Sequence, residues 1–272
     1  MNSPWPHRCA ILLAAAAFLC VLSGTAVTTN EERPFYSVGQ SHLWLGAAMA
    51  VLAIVLILSM RWNTSLQGKW GWLALAAVAV QALLGLQPLP QAPAVRIAHV
   101  FVALLFIPLA VAFCFFTSAR WRTAPKPVAG PSALLLLANC VPLVVLAQVA
   151  LGVLFRHGAM GVGPHLIGAF LVAFFILGLG LPVIYRPELS SLHLAARIFL
   201  TIASVQVFLG LALFSMGFMD LDPRVVILTT MIHAATGALT LAATVMMGIL
   251  IRRNLSIPCG SPVGIDSERT ER

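Results

Sequence analysis

Apolar residues in this chain follow neither a helical nor a strand period; they run in long blocks separated by short clusters of Pro, Gly and charge. Crossing the hydrocarbon core of a bilayer takes about 20 mostly apolar residues. The blocks predict spans over 10–28, 42–60, 71–87, 96–116, 132–155, 165–185, 194–214 and 225–250. Eight such segments in 272 residues leave only short connections, so function is expected within the membrane or at its surface. Lipid offers the backbone no hydrogen-bond partner, so each span is expected to be a helix.

The polar positions carry a second pattern. Q-x-x-L-G occurs at Gln81 to Gly85, Gln148 to Gly152 and Gln206 to Gly210, each near the end of an odd-numbered span. After each copy the chain turns and a histidine opens the next span: His99, His165 and His233. A degenerate first copy ends at Gly24, before His42. The histidines are 57, 66 and 68 residues apart, which reads as a helix–turn–helix unit used four times. The expected fold class is therefore all-α: a polytopic membrane protein whose eight transmembrane helices form two pseudo-symmetric four-helix bundles. An N-terminal bundle is expected over 1–122 and a C-terminal bundle over 123–253, with a disordered cytoplasmic tail over 254–272.

Composition sharpens this picture. Hydrophobic residues make up 60% of the chain and charged residues 9%, against roughly 25% charged in a soluble domain, and the mean hydropathy is +0.99. A soluble globular enzyme is excluded. The net charge of +8 comes from 16 Lys and Arg scattered singly or in pairs, which is a topological signal and not a nucleic-acid surface. With a cytoplasmic N-terminus, the outer segments hold only Arg33, Arg96, Arg156 and Arg224, and the other twelve cations lie inside. Both termini are then cytoplasmic and the four histidines lie just inside the outer face. Residues 1–28 also have the charge, apolar run and small residues of a signal peptide, but the even helix count and the repeat both use this segment as a helix. Cys9, Cys20, Cys114, Cys140 and Cys259 form no C-x-x-C pair, and neither a disulfide framework nor a zinc site is expected.

Ionisable residues within spans are costly and tend to be functional, and imidazole is a usual axial ligand of haem iron. Two histidines at one height on facing helices can approach an iron from opposite sides, which pairs His42 with His99 and His165 with His233. At i+4 from the histidines stand Gly46, Ala103, Ala169 and Gly237, small enough to leave room for a flat group. Arg156, His157, Arg96 and Arg224 are placed to meet anionic propionates or lipid headgroups. Gln81, Gln148 and Gln206 suit either interhelical hydrogen bonding or support of a histidine.

The eight-helix duplication, the histidines on all even helices, and the run Gln148 to Gly152 followed by Arg156-His157-Gly158 and His165 resemble the heme A synthase family of cytochrome oxidase assembly proteins. The resemblance covers nearly the whole chain. It implies a membrane oxidoreductase of the bacterial-type plasma (inner) membrane that converts the methyl group of heme O to the formyl group of heme A. It further implies that His165 and His233 ligate a resident heme b, with Arg156, His157, Arg224, Arg96, Gln148 and Gln206 around the haem sites. His42 and His99 would hold the substrate haem, and a heme O synthase is the implied partner; the electron donor and any homo-oligomer stay open. The family's glutamate one turn before the first histidine is here Gly39, which leaves Glu31 and Glu32 in the preceding loop as the acidic candidates. Two other readings compete: a bis-histidine, two-haem electron carrier or haem-handling assembly factor, and a haem-free transporter built from repeats.

Overall fold

Helices that must satisfy their own backbone in lipid end where polar side chains, Pro or Gly supply alternatives, and the computed structural model follows that rule. It describes residues 4–29, 36–60, 66–85, 92–123 and 127–256. Among these, the long helices are α1 (Trp5–Thr29), α2 (Tyr36–Met60), α3 (Leu66–Gly85), α4 (Pro93–Thr117), α6 (Ser132–Arg156), α7 (Val162–Ile184), α8 (His193–Met216) and α9 (Pro223–Asn254). A one-turn helix α5 (Ala119–Arg122) and a two-residue strand β1 (Val128–Ala129) lie between α4 and α6; β2 (Leu255–Ser256) follows α9.

Seven of the long helices are long and apolar enough to cross a membrane, and α3 adds the shorter apolar stretch Gly71–Gly85. Large apolar side chains such as Trp44, Trp72, Phe170, Phe174 and Phe208 stand exposed on the outside, as lipid-facing residues do. Most helices overrun the apolar spans read from sequence by several residues, because polar residues at the ends stay helical. Pro93 and Pro223 open α4 and α9 at a position where no N–H is needed. The Asp222 carboxylate accepts from the Arg224 backbone N–H at 2.8 Å and caps α9.

Helix α1 packs against α2 and α4, and α3 lies against α2 and α4; likewise α6 packs against α7 and α9, and α8 against α7 and α9. One core gathers Leu13, Ala53, Leu56, Phe106 and Phe113; another gathers Val141, Leu179, Phe199 and Met247. Helix α9 belongs to both. It gives Ala238 and Ala242 to the first core and Leu241, Met247 and Ile251 to the second, and it also packs against α1 and α4. The helix is rich in small residues, and two of its threonines satisfy themselves: Thr240 and Thr244 each donate to the carbonyl four residues earlier. Where α9 crosses α6 the backbones nearly touch, since a methyl group on Gly248 would sit 2.6 Å from the Ala138 carbonyl oxygen.

The turn from α6 to α7 explains part of the Arg156-His157-Gly158 run. Gly158 has φ +70°. Its N–H donates to Phe155 O at 3.0 Å, and Ala159 N–H donates to Leu154 O at 2.9 Å, which is a Schellman stop. The glycine ends the helix, so Arg156 and His157 stand at its rim.

At the opposite end of the helices, β1 pairs in parallel with β2, joining the mid-chain connection to the end of α9. The Arg253 guanidinium donates to the Trp121 and Thr123 carbonyls at 2.6 and 2.8 Å and lies 4.0 Å from the Trp121 ring centre. Leu255 and Ser256, placed in the tail by the sequence reading, thus carry a pairing contact. Gly248→Val is expected to cost about 2 kcal/mol or more, because a backbone carbonyl cannot move aside as a side chain can. A fall in the unfolding midpoint on SDS titration checks this, and a wild-type midpoint would contradict the tight crossing.

Candidate functional site

A histidine ring inside an apolar helix pair needs a seat of its own, and the chain makes the same seat four times. Each histidine lies in the N-terminal part of a helix, from one turn in at His165 to about three turns in at His233, and sits against a glycine on the preceding long helix. A methyl group built on Gly24 would be 2.8 Å from His42 Cε1, on Gly85 3.0 Å from His99 Cε1, on Gly152 2.9 Å from His165 Cε1, and on Gly210 3.2 Å from His233 Cε1. At Gly24 and Gly152 a methyl group would be closer than real ones come, and at Gly85 and Gly210 it would be unusually tight, so the final glycine of the motif makes room for the ring. The sequence reading gave these glycines to helix packing in general; their particular neighbour is the histidine.

At His42 the residue four before the glycine completes the seat. His42 Nδ1 lies 3.1 Å from the Cys20 carbonyl oxygen, 3.0 Å from Ser23 Oγ and 3.6 Å from Cys20 Sγ. Gln81, Gln148 and Gln206 occupy the equivalent position before Gly85, Gly152 and Gly210, but Nδ1 of His99 and of His233 has no hydrogen-bond partner. The first copy therefore reads Cys20-x-x-Ser23-Gly24 in the register of Q-x-x-L-G. Sequence reasoning had only its glycine and missed Cys20 and Ser23; counting back four residues from Gly24 would have found the cysteine.

The four rings meet in two pairs. His42 and His99 have centroids 6.2 Å apart with their planes at 72°. His165 and His233 have centroids 6.4 Å apart with their planes at 84°. Two metal–imidazole bonds of about 2.0–2.1 Å in line, plus the half-width of each ring, place the centroids of opposed ligands roughly 6 Å apart. A tetrahedral metal site does not fit, because among the described residues no three His, Cys, Asp or Glu side chains converge. The donor set fits a centre needing two opposed imidazoles and supplying its other ligands itself, as haem does.

Other candidate residues fall into different roles. Gln148 Nε2 lies 3.1 Å from His165 Nδ1, and Gln206 Nε2 lies 3.3 Å from His233 Nε2. Of the small residues expected beneath the histidines, Gly237 is occupied by the Gln206 amide, whereas Gly46 faces open space. Phe155 stacks on His165 at 6.2 Å between centroids. Arg156 crosses to α1, donating to Thr25 O at 3.0 Å and Thr28 Oγ1 at 2.9 Å, and so ties the rim of one histidine seat to the end of the helix that seats His42. His157 caps the end of α6, Arg96 lies in the first turn of α4, and Arg224 is exposed in the first turn of α9. Gly39 stands in open space, with nothing within 4 Å of a methyl group built on it. Glu31 and Glu32 lie outside the described residues. Cys9, Cys20, Cys114 and Cys140 are free thiols.

The chain matches no family model and no curated protein.

The glycine seat yields a sharp test. Gly152→Ala should cost about 1–3 kcal/mol through collision with His165, although alanine is the better helix former. In a His165→Ala background the same change should become neutral or stabilising by up to about 1 kcal/mol, a coupling readable from a double-mutant cycle of SDS unfolding midpoints. Equal costs in both backgrounds would contradict the contact.

Proposed function

We propose that this chain is a membrane haem oxidoreductase of the heme A synthase type, built as two pseudo-symmetric four-helix bundles with one bis-histidine site in each. The observation that carries the reading is the meeting of the four repeat-equivalent histidines in two pairs at 6.2 and 6.4 Å. Bundle cores are common homes for such groups, and the packing of α1 to α4 and of α6 to α9 in two sets of four supports this division. In this reading His165 and His233 hold a resident heme b, and His42 and His99 hold the substrate, heme O. Bound there, haem supplies one-electron redox chemistry and, where a coordination position opens, reaction with oxygen.

The chain's own part is positional. The glycine seats fix each imidazole against a helix backbone, and the carbonyl of Cys20 accepts from His42 Nδ1–H, leaving Nε2 as the lone-pair nitrogen. Exposed apolar side chains all round keep the helices in lipid, so water is scarce where the histidines meet. In this reading both termini lie in the cytoplasm and the histidines toward the outer face of a bacterial-type inner membrane; the cation distribution supports that orientation.

A second reading, the two-haem electron carrier, is favoured by one observation. The position of the family glutamate is Gly39, with open space around it, so an acid for the oxidation has to come from Glu31 or Glu32 if it comes from this loop.

Coexpression with a source of heme O decides between them. Extraction and chromatography of the purified protein's haems are expected to give heme B with heme O or heme A. His42→Ala or His99→Ala should remove the heme A, with at least a tenfold fall, while heme B remains. Two heme B per chain and no heme A would establish the carrier, and a colourless protein that cannot be reconstituted would overturn both.

A further inference from the structure

The two histidine pairs are seated on the same backbone pattern, yet their side-chain support differs. Around the second pair, both histidines meet a glutamine amide. Gln148 Nε2 donates to the His165 carbonyl oxygen at 2.8 Å and faces His165 Nδ1 at 3.1 Å. Gln206 Nε2 faces His233 Nε2 at 3.3 Å, while the Thr236 hydroxyl donates to Gln206 Oε1. The helix carrying each histidine makes room for that amide with a glycine one turn on. A methyl group on Gly168 would overlap Gln148 Oε1, and one on Gly237 would stand 3.0 Å from Gln206 Nε2.

Around the first pair this arrangement is missing. Cys20 replaces the glutamine, and His42 is held by a backbone carbonyl and the Ser23 hydroxyl. Gln81 is present, but no hydrogen bond joins its amide to the His99 ring; its Oε1 and His99 Nδ1 are buried without a partner, as Gln148 Oε1 and His233 Nδ1 are in the second pair. Gly46, one turn after His42, faces open space.

We propose that Gln148 is a positioning residue that fixes the ring orientation of His165 through Nδ1, so that retention of the second pair's ligand depends on it while the first pair's does not depend on Gln81; Gln206, whose amide faces Nε2 of His233, does not share this role. The inference rests on the haem reading above and adds the group that holds one of the ligating rings. The chemistry of an amide suits the task, because it carries both a donor and an acceptor. With His165 unligated, the amide N–H meets the lone pair of Nδ1. Ligation through Nε2 would place the ring proton on Nδ1; a turn of the amide that gives up its bond to the His165 carbonyl and moves clear of that oxygen then presents Oε1, which is buried without a partner in this structure. One side chain thus serves both states of the ring. Leucine fills the same space and serves neither; glutamate accepts only.

The test uses the purified full-length holoprotein and follows haem transfer to excess apomyoglobin, together with the low-spin EPR spectrum and the midpoint potential of the bound haem. Gln148→Leu is expected to speed haem loss by about 10–100-fold, the usual effect of removing a partner of a ligating histidine. Gln148→Glu should restore retention to within about threefold while lowering the midpoint potential, since a carboxylate partner raises ligand basicity. Gln81→Leu should release haem at the wild-type rate. If Gln148→Leu keeps the wild-type release rate and EPR spectrum, the glutamine is a packing residue only and the proposal falls, with the haem reading intact. If Gln81→Leu behaves like Gln148→Leu, the asymmetry falls. If leucine and glutamate variants lose haem alike while their unfolding midpoints match wild type, support by hydrogen bonding is refuted. A wild-type protein that takes up no haem sinks the functional reading itself, a result separable from all of these.

Discussion

The contact between a glycine backbone and an imidazole edge is the constraint on which the rest of this molecule turns. A polar ring inside an apolar helix pair is tolerated only where it finds partners, and a helix offers few because its backbone groups are already paired. Removing one Cβ brings the ring down to the helix surface, within reach of a carbonyl one turn earlier. Once that solution exists, the register of the two helices is fixed: slide either by one residue and the ring meets a methyl group. Four uses of the contact align four helical hairpins to a common height, and the two meeting points of histidines follow.

What surrounds this constraint divides into repeated and unrepeated parts. The seats, the hairpins and the meeting of rings recur. The glutamine amides, the Arg156 crossing to α1, the Schellman stop at Gly158 and the packing of α9 against both cores belong to one half or to the join. An arginine whose bonds go to Thr25 and Thr28 is a structural tie between the halves, where the bare sequence offered it to an anionic ligand.

The spans, the repeat and the pairing of His42 with His99 and of His165 with His233 were legible in the sequence because they depend on residue type at a fixed spacing. The first copy of the motif was only half legible. At Cys20 the contact is made by the backbone carbonyl, so the side chain was free to change and the signal was lost. The pairing of Val128 with Leu255 and the seating of Arg253 on Trp121 were illegible for another reason. They join positions more than a hundred residues apart through carbonyls and one ring face, and no local pattern encodes such a partner. The helix overruns were hidden too, because polar residues at a span's edge signal the end of the apolar run and not the end of the helix.

The position of α9 bears on how the protein is made. It is the final long helix of the described chain, yet it packs against α1, α4, α6 and α8 and lends residues to both cores. The strand that fastens the mid-chain connection follows it directly. During synthesis the earlier helices leave the ribosome and enter the bilayer with their central partner still untranslated. Their final arrangement waits until α9 has been made, and until then the insertion machinery or neighbouring lipid has to cover the faces that α9 will later occupy.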